Sequence, residues 1–232
     1  MNRFKTYDAN LHGDDYVVGD IHGCFTKLEN LLSTIGFNEE VDRLFSVGDL
    51  VDRGPENERC IEFLNKPWFH AVRGNHEQMI IDAYKYGESP ELSIMNGGMW
   101  IYGLPDVERQ CYAALFDELP YAMQVDTGER LIGIVHAECP TLDWAQFKEA
   151  LSRPPKDDMN DRSIAQASIW ARTRISYQET SVIQNINRVF CGHTPVDRPC
   201  TLGNVTYIDT GACFGRKLTI VRMEDLKVYD QF

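Results

Sequence analysis

The 232-residue chain is missing several features that would assign a class directly. Its apolar residues never approach the run of about 18 to 20 that a membrane-spanning helix needs. Its first thirty residues have no basic start followed by an apolar stretch, so no secretory leader is expected. Basic residues are in short supply: 23 Lys and Arg stand against 35 Asp and Glu, a net charge of −12. That deficit excludes nucleic-acid partners bound through a broad basic face and disfavours an anionic membrane as partner. The seven cysteines are odd in number, scattered and free of any CxxC pair. Neither a disulfide framework nor a structural zinc knuckle is therefore expected. Repeats and low-complexity tracts are also lacking, and no linker divides the chain. What is present is 43% hydrophobic and 11% aromatic, too apolar for a disordered acidic chain. The expectation is an acidic globular protein of the cytoplasm, with residues 1–232 forming one domain around a substantial core.

A short grammar recurs along the chain. An apolar, β-branched run ends abruptly in Gly followed by Asp, Asn or His: Asp15-Tyr-Val-Val-Gly-Asp20, Leu44-Phe-Ser-Val-Gly-Asp49 and Phe69-His-Ala-Val-Arg-Gly-Asn75. Leu131-Ile-Gly-Ile-Val-His136 and Arg188-Val-Phe-Cys-Gly-His193 repeat the idea. Such runs read as buried strands. Between the first three lie helical patterns, clearest in Phe25, Leu28, Leu31, Leu32 and Ile35, with Gly36 as the stop. Asp20 to Asp49 is 29 residues and Asp49 to Asn75 is 26, each about one βαβ unit. Parallel strands with right-handed crossovers bring their carboxyl ends to one edge, where open α/β sheets build their sites. Residues 75–119 read as helical with a break at Asn96-Gly97-Gly98, and 121–125 with 131–135 read as a hairpin. Arg153-Pro-Pro-Lys-Asp-Asp158 reads as a solvated loop, and strands return near 188–191, 204–208 and 217–222. The fold class that follows is α/β with a mixed sheet.

The side chains at these strand ends are Asp20, His22, Asp49, Asn75, His136 and His193. Carboxylate and amide oxygens mixed with imidazole suit a divalent first-row metal, and the lack of thiolate argues against a closed structural zinc. Six ligands are too many for one ion that must also bind water and substrate. Two ions sharing Asp49 fit the count. A pair about 3.5–4 Å apart makes hydroxide at neutral pH and clamps the oxygens of an in-line displacement.

Gly19-Asp-Ile-His-Gly23, Gly48-Asp-Leu-Val-Asp-Arg-Gly54 and Gly74-Asn-His-Glu77 resemble the three signature blocks of metal-dependent Ser/Thr protein phosphatases. These belong to the calcineurin-like metallophosphoesterases, and the resemblance is closest to the short bacterial and bacteriophage enzymes of the lambda protein phosphatase type. Asn96-Gly-Gly98, His136-Ala137, Ile169-Trp-Ala-Arg172, Gly192-His-Thr-Pro195 and Tyr207-Ile-Asp-Thr-Gly-Ala212 extend it over about residues 16 to 222. The resemblance implies a sandwich of mixed β-sheets flanked by helices. It also implies hydrolysis of phosphoserine or phosphothreonine, and of phosphotyrosine as a further substrate, on phosphorylated proteins or peptides. A metal-bound hydroxide would attack phosphorus directly.

By the same resemblance Asp20, His22 and Asp49 hold one metal, and Asp49, Asn75, His136 and His193 hold the other. The metal is manganese, with iron or zinc as alternatives. His76 is the general acid, oriented by Asp52. A serine alkoxide is a poor leaving group, so a placed acid is worth about 10²–10⁴-fold. Arg53, Arg73 and Arg172 are the partners expected for the phosphate oxygens, since guanidinium offers a fixed bidentate fork. Arg174 is the rival to Arg172. Glu138 receives no role, Cys191 reads as a small buried hydrophobe, and Trp68, Trp100 and Trp144 read as core. Residues 80–120 and the 153–168 loop are where specificity is expected.

The competing enzyme class is a dinucleoside polyphosphate hydrolase of the diadenosine tetraphosphate type. Such enzymes usually lack the carboxylate at Asp52 and carry Asp at Glu77, so Val51-Asp-Arg-Gly54 favours the protein phosphatase. A pseudo-enzyme that keeps the fold as a binding module predicts an eroded ligand set, yet every expected ligand is present.

Overall fold

The computed structural model describes residues 3–154 and 159–231. The five-stranded sheet is built on the βαβ grammar. Strand β2 (Asp15–Val18) leads through α1 (Phe25–Ile35) to β3 (Arg43–Ser46), then through α2 (Cys60–Leu64) to β4 (Phe69–Ala71). After β1 (Phe4–Tyr7) and these elements come α3 (Asn75–Lys85), α4 (Glu91–Met95) and α5 (Asp106–Asp117). Next are β5 (Ala122–Asp126), β6 (Leu131–Val135), α6 (Trp144–Ser152), α7 (Met159–Trp170) and α8 (Thr173–Tyr177). The chain closes with β7 (Arg188–Cys191), β8 (Cys200–Leu202), β9 (Val205–Tyr207), β10 (Leu218–Arg222) and β11 (Val228–Gln231).

One sheet has the order β11-β10-β2-β3-β4, the other β1-β5-β6-β7-β9-β8. Both are mixed. β2, β3 and β4 run parallel, and so do β6, β7 and β9, with antiparallel strands at their flanks. Strand alternation sends neighbouring residues to opposite faces. Val17, Phe45 and Val221 pack against Met123, Ile132, Ile134 and Phe190 of the other sheet. Tyr16, Val18 and Leu44 face outward onto α1, α2 and α5. On the far side Val135, Val189 and Cys191 meet Trp144 and Phe147 of α6 and Ile169 of α7. The result is a four-layer stack of helices, sheet, sheet and helices. Gly133 lets the second sheet seat its helical layer, because a Cβ there would lie 2.5 Å from the Trp144 ring.

Helix α1 buries Phe25, Leu28, Leu31 and Leu32, the residues of its 3–4 spacing. It ends at Gly36, whose φ of 74° lets its N–H reach the carbonyls of Leu32 and Ser33. Some elements differ from the sequence reading. β1, β8 and β11 are short strands with no expected counterpart, pinned by pairing to β5, β9 and β10 respectively. Residues 159–170 form α7, not part of a 153–168 loop, because Ile169 is drawn into the core beneath it. Of the solvated loop expected at 153–158, residues 155–158 lie outside the described residues. The seven cysteines are unpaired, and Cys191 is fully buried among apolar neighbours, where burial pushes its thiol upward. No helix among the described residues is long and apolar enough to cross a membrane.

Candidate functional site

The two parallel triplets bring their carboxyl ends to a common edge of the sandwich. From the first sheet come Asp20 and His22 after β2, Asp49 after β3 and Asn75 after β4. From the second come His136 after β6 and His193 after β7. Six residues distant in sequence are thereby gathered, all buried. Contacts cross between the sheets. The His193 backbone N–H donates to the Asp20 carboxylate at 3.0 Å, and Asn75 Oδ1 lies 2.9 Å from His136 Nε2 and 2.8 Å from His193 Nδ1. Gly192 makes this closure possible, since a Cβ there would sit 1.8 Å from Asp20 Oδ1.

The loops are held in costly backbone. Among the described residues His22, Asp49, Asp52, Arg53 and His193 have φ between 44° and 73°, a region non-glycine residues adopt at some cost and which clusters at functional sites. The compensation is a lattice of hydrogen bonds. Asp49 O accepts from His22 N at 2.9 Å and Leu50 O accepts from Gly23 N at 2.8 Å. Glu77 accepts the N–H groups of Asp49, Leu50 and Gly74. Asp49 Oδ1 accepts the His76 N–H at 3.1 Å, capping the start of α3 where Gly74 has no side chain to do so.

Two donor sets share one residue. Ligand-capable atoms of His22, Asp49 and His76 lie within 4.8 Å of one another, and so do those of Asp49, His136 and His193. His22 Nδ1 is 2.8 Å from Val51 O and His136 Nδ1 is 2.7 Å from Val47 O. These carbonyls take the Nδ1 proton and so put the lone pair of each ring on Nε2, the atom an ion would bind. Burial holds His22 and His193 at about 3, hence neutral, the form a metal requires. Burial and the charges of Asp209 and Asp49 raise Asp20 well above the usual range, and burial lifts Asp209 to about 6. Burial works against ionised Asp49, but the imidazoles of His136, His76 and His22 hold it well below the usual range. Asp49 and the Val47 carbonyl in turn raise His136 against its burial, and buried carboxylates crowded among these imidazoles suit a divalent counter-charge.

His76 of the first set also forms a dyad. His76 Nδ1 is 2.6 Å from Asp52 Oδ2, both residues fully buried. His76 Nε2 has no hydrogen-bond partner and lies 3.8 Å from Asp49 Oδ2. Trp100 Nε1 donates to the other Asp52 oxygen at 2.6 Å.

Residues 16–200 match the calcineurin-like phosphoesterase family. The chain belongs to that family. The "Serine/threonine-protein phosphatase 1" of Salmonella typhimurium is 38% identical, over 90% of this chain and 91% of that protein. A bis(5'-nucleosyl)-tetraphosphatase of Bacillus cereus is more distant, 28% identical over 91% of each chain. A solved serine/threonine phosphatase of Saccharomyces cerevisiae superposes with a TM-score of 0.63 at 17% identity, over the whole of this chain and 83% of its own. It shares the fold.

The arginines of this phosphoesterase separate into two kinds. Arg53 is exposed, with its NH1 2.6 Å from His22 Nε2 and its guanidinium over the Phe214 ring. Arg172 is exposed, with its NH2 3.5 Å from the carbonyl of His193. Its rival Arg174 is buried and bonded to the carbonyls of Glu179 and Ser181. Arg73 departs from the sequence expectation. It is 2% exposed and donates to Asp117, Gln78 and Tyr121, because α5 brings an acidic partner against it. A phosphate-binding role for Arg73 has no support in this geometry.

Several contributors escape the sequence reading. Asp209 follows β9 in the same apolar-run-then-Asp grammar and could have been found by it. Glu77 stands three residues after Gly74, the spacing of a helix-capping residue. Glu138 accepts the N–H groups of Thr173 and Arg174 at the start of α8, next to Arg172. Trp100, expected as core, does pack on the core but also holds Asp52, and no local sequence signal marks it.

Proposed function

We propose that the chain, acting as one domain over residues 1–232, is a metal-dependent phosphoprotein phosphatase for phosphoserine and phosphothreonine monoesters, and for phosphotyrosine as a further substrate. The observation that carries this reading is Asp49 within reach of His22 on one side and of His136 and His193 on the other, with His76 paired to Asp52. Asp20, His22 and Asp49 would hold one divalent ion, and Asp49, Asn75, His136 and His193 a second. Manganese suits this mixed oxygen and imidazole set, with iron or zinc as alternatives. When bound, the ions supply a nucleophilic water at neutral pH and draw charge from the phosphoryl oxygens.

The chain's own residues supply the rest. Val51 and Val47 carbonyls orient the imidazoles of His22 and His136. Arg53, in contact with His22, and Arg172, near the His193 carbonyl, would meet a phosphate that gathers negative charge as its ester bond breaks. His76, with Nε2 unpartnered, holds a proton for the departing seryl or threonyl oxygen, and Asp52 stabilises the imidazolium that carries it. Need for such an acid is greatest with an alkoxide and least with a nucleotide, which separates this reading from the dinucleoside polyphosphate hydrolase.

The test is a steady-state comparison of a phosphoserine peptide with diadenosine tetraphosphate on manganese-loaded protein. The reading predicts a higher kcat/KM on the peptide. A preference for the dinucleotide by about a hundredfold would replace it with the rival.

A further inference from the structure

Asp52 is fully buried at a φ of 73°, and each of its carboxylate oxygens has one short partner. Oδ2 faces His76 Nδ1 and Oδ1 accepts the Trp100 indole N–H, both at 2.6 Å. We propose that Trp100 is a positioning residue for the reaction: its N–H fixes the Asp52 carboxylate and, through it, the ring of His76. The inference rests on the reading of His76 as general acid.

A carboxylate bonded at one oxygen alone can swing about its own axis, and the imidazole it holds swings with it. A second bond at the other oxygen removes that freedom. Indole is a donor only and carries no titratable proton near neutrality, so it orients Asp52 without competing for the dyad's proton. It also satisfies an oxygen that would otherwise be a buried, unpaired acceptor.

Trp100 is itself fixed. It sits in the helical turn over residues 98–103, and its ring meets that of Tyr112 on α5 edge-on at 5.2 Å and 85°. The turn is docked on the loop that carries Asp52. The Arg53 N–H donates to Gly97 O at 3.4 Å, and Gly97 stands at a φ of 97° with no room for a Cβ, which would lie 2.8 Å from Arg53 Cγ. A ring serving only as packing would need neither this close docking nor a 2.6 Å bond aimed at the free oxygen of Asp52.

Trp100→Phe keeps an aromatic ring against Tyr112 and removes the donor. The loss of one hydrogen bond to a buried charge should lower kcat on a phosphoserine peptide about tenfold. On p-nitrophenyl phosphate, whose leaving group needs little acid, the change should stay under about twofold, with metal content unchanged. In a His76→Asn background the same substitution should cost less than about twofold on the peptide, because its route is already cut. If Trp100→Phe misfolds, benzothienylalanine at position 100, with sulfur in place of the N–H, makes the same test. Equal losses on both substrates, or the full loss repeated in the His76→Asn background, would overturn the assignment and leave His76 as the acid. If His76→Asn alone lowers both substrates equally, the acid reading fails and this inference with it.

Discussion

Glu77 Oε2 accepts the backbone N–H of Asp49 at 3.0 Å, and the same carboxylate takes the N–H groups of Leu50 and Gly74, each at 2.8 Å. One buried side chain thus ties the end of β3 to the start of α3. Glu77→Ala leaves three buried donors unpaired and should lower stability by about 2–4 kcal/mol, read from urea unfolding. Glu77→Gln keeps one acceptor oxygen and should cost less. Equal midpoints for wild type and Glu77→Ala would show that the tie contributes nothing.

The two kinds of arginine predict opposite phenotypes. Arg73→Ala leaves Asp117 with Lys85 as its remaining cation and removes the buried bonds to Gln78, Tyr121 and the Asp117 carbonyl, and should cost about 2–3 kcal/mol of stability. Its effect on kcat/KM, measured where the variant is folded, should be small. Arg53→Ala should leave the unfolding free energy within about 0.5 kcal/mol of wild type. It should lower kcat/KM by about tenfold to a hundredfold through loss of a charge-assisted contact to phosphate. An Arg73→Ala protein that is stable but unable to bind phosphate would restore the sequence expectation.

His70 predicts a pH dependence away from the metal ligands. Its ring lies 4.6 Å from that of Tyr7 and 5.1 Å from that of Phe45. Burial, with the charges of Arg43 and Lys5, lowers its pKa to about 4. The unfolded chain therefore binds this proton more readily than the folded one. Its contribution to stability is whole above the unfolded value of 6.5 and is lost as pH falls toward 4, by up to about 3 kcal/mol. His70→Phe should lack that slope, so the difference between the wild-type and variant pH–stability curves of metal-free protein should change across this range. Parallel curves between pH 4 and 6.5 would contradict the assignment.

Much of the site was legible because the strand grammar is local. An apolar run, a glycine and a ligand occupy consecutive residues, and parallel topology does the gathering. That grammar places Asp20, Asp49 and Asn75 at one edge, with His22 two residues after Asp20 and His136 and His193 at the ends of later runs. What was illegible depends on long-range contacts. Arg73 reads as a phosphate ligand from its place beside Asn75, but its partner Asp117 is 44 residues away on α5. Trp100 reads as core from its aromatic character, while its bond to Asp52 spans 48 residues. The edge strands β1 and β11 are only four residues each and owe their conformation to neighbours rather than to their own pattern. The sequence of α7, MNDRSIAQASIW, mixes polar and apolar residues without a clean 3–4 spacing, so helical periodicity does not mark it.

The central claim is that Asp49 belongs to both ligand sets at once. Elemental analysis of protein loaded with manganese and freed of excess by dialysis tests it most directly, with wild type and Asp49→Asn compared at equal folded fraction. The account predicts about two ions per chain for wild type and loss of most of both in Asp49→Asn. Two ions retained by Asp49→Asn, or a single ion in wild type, would contradict it.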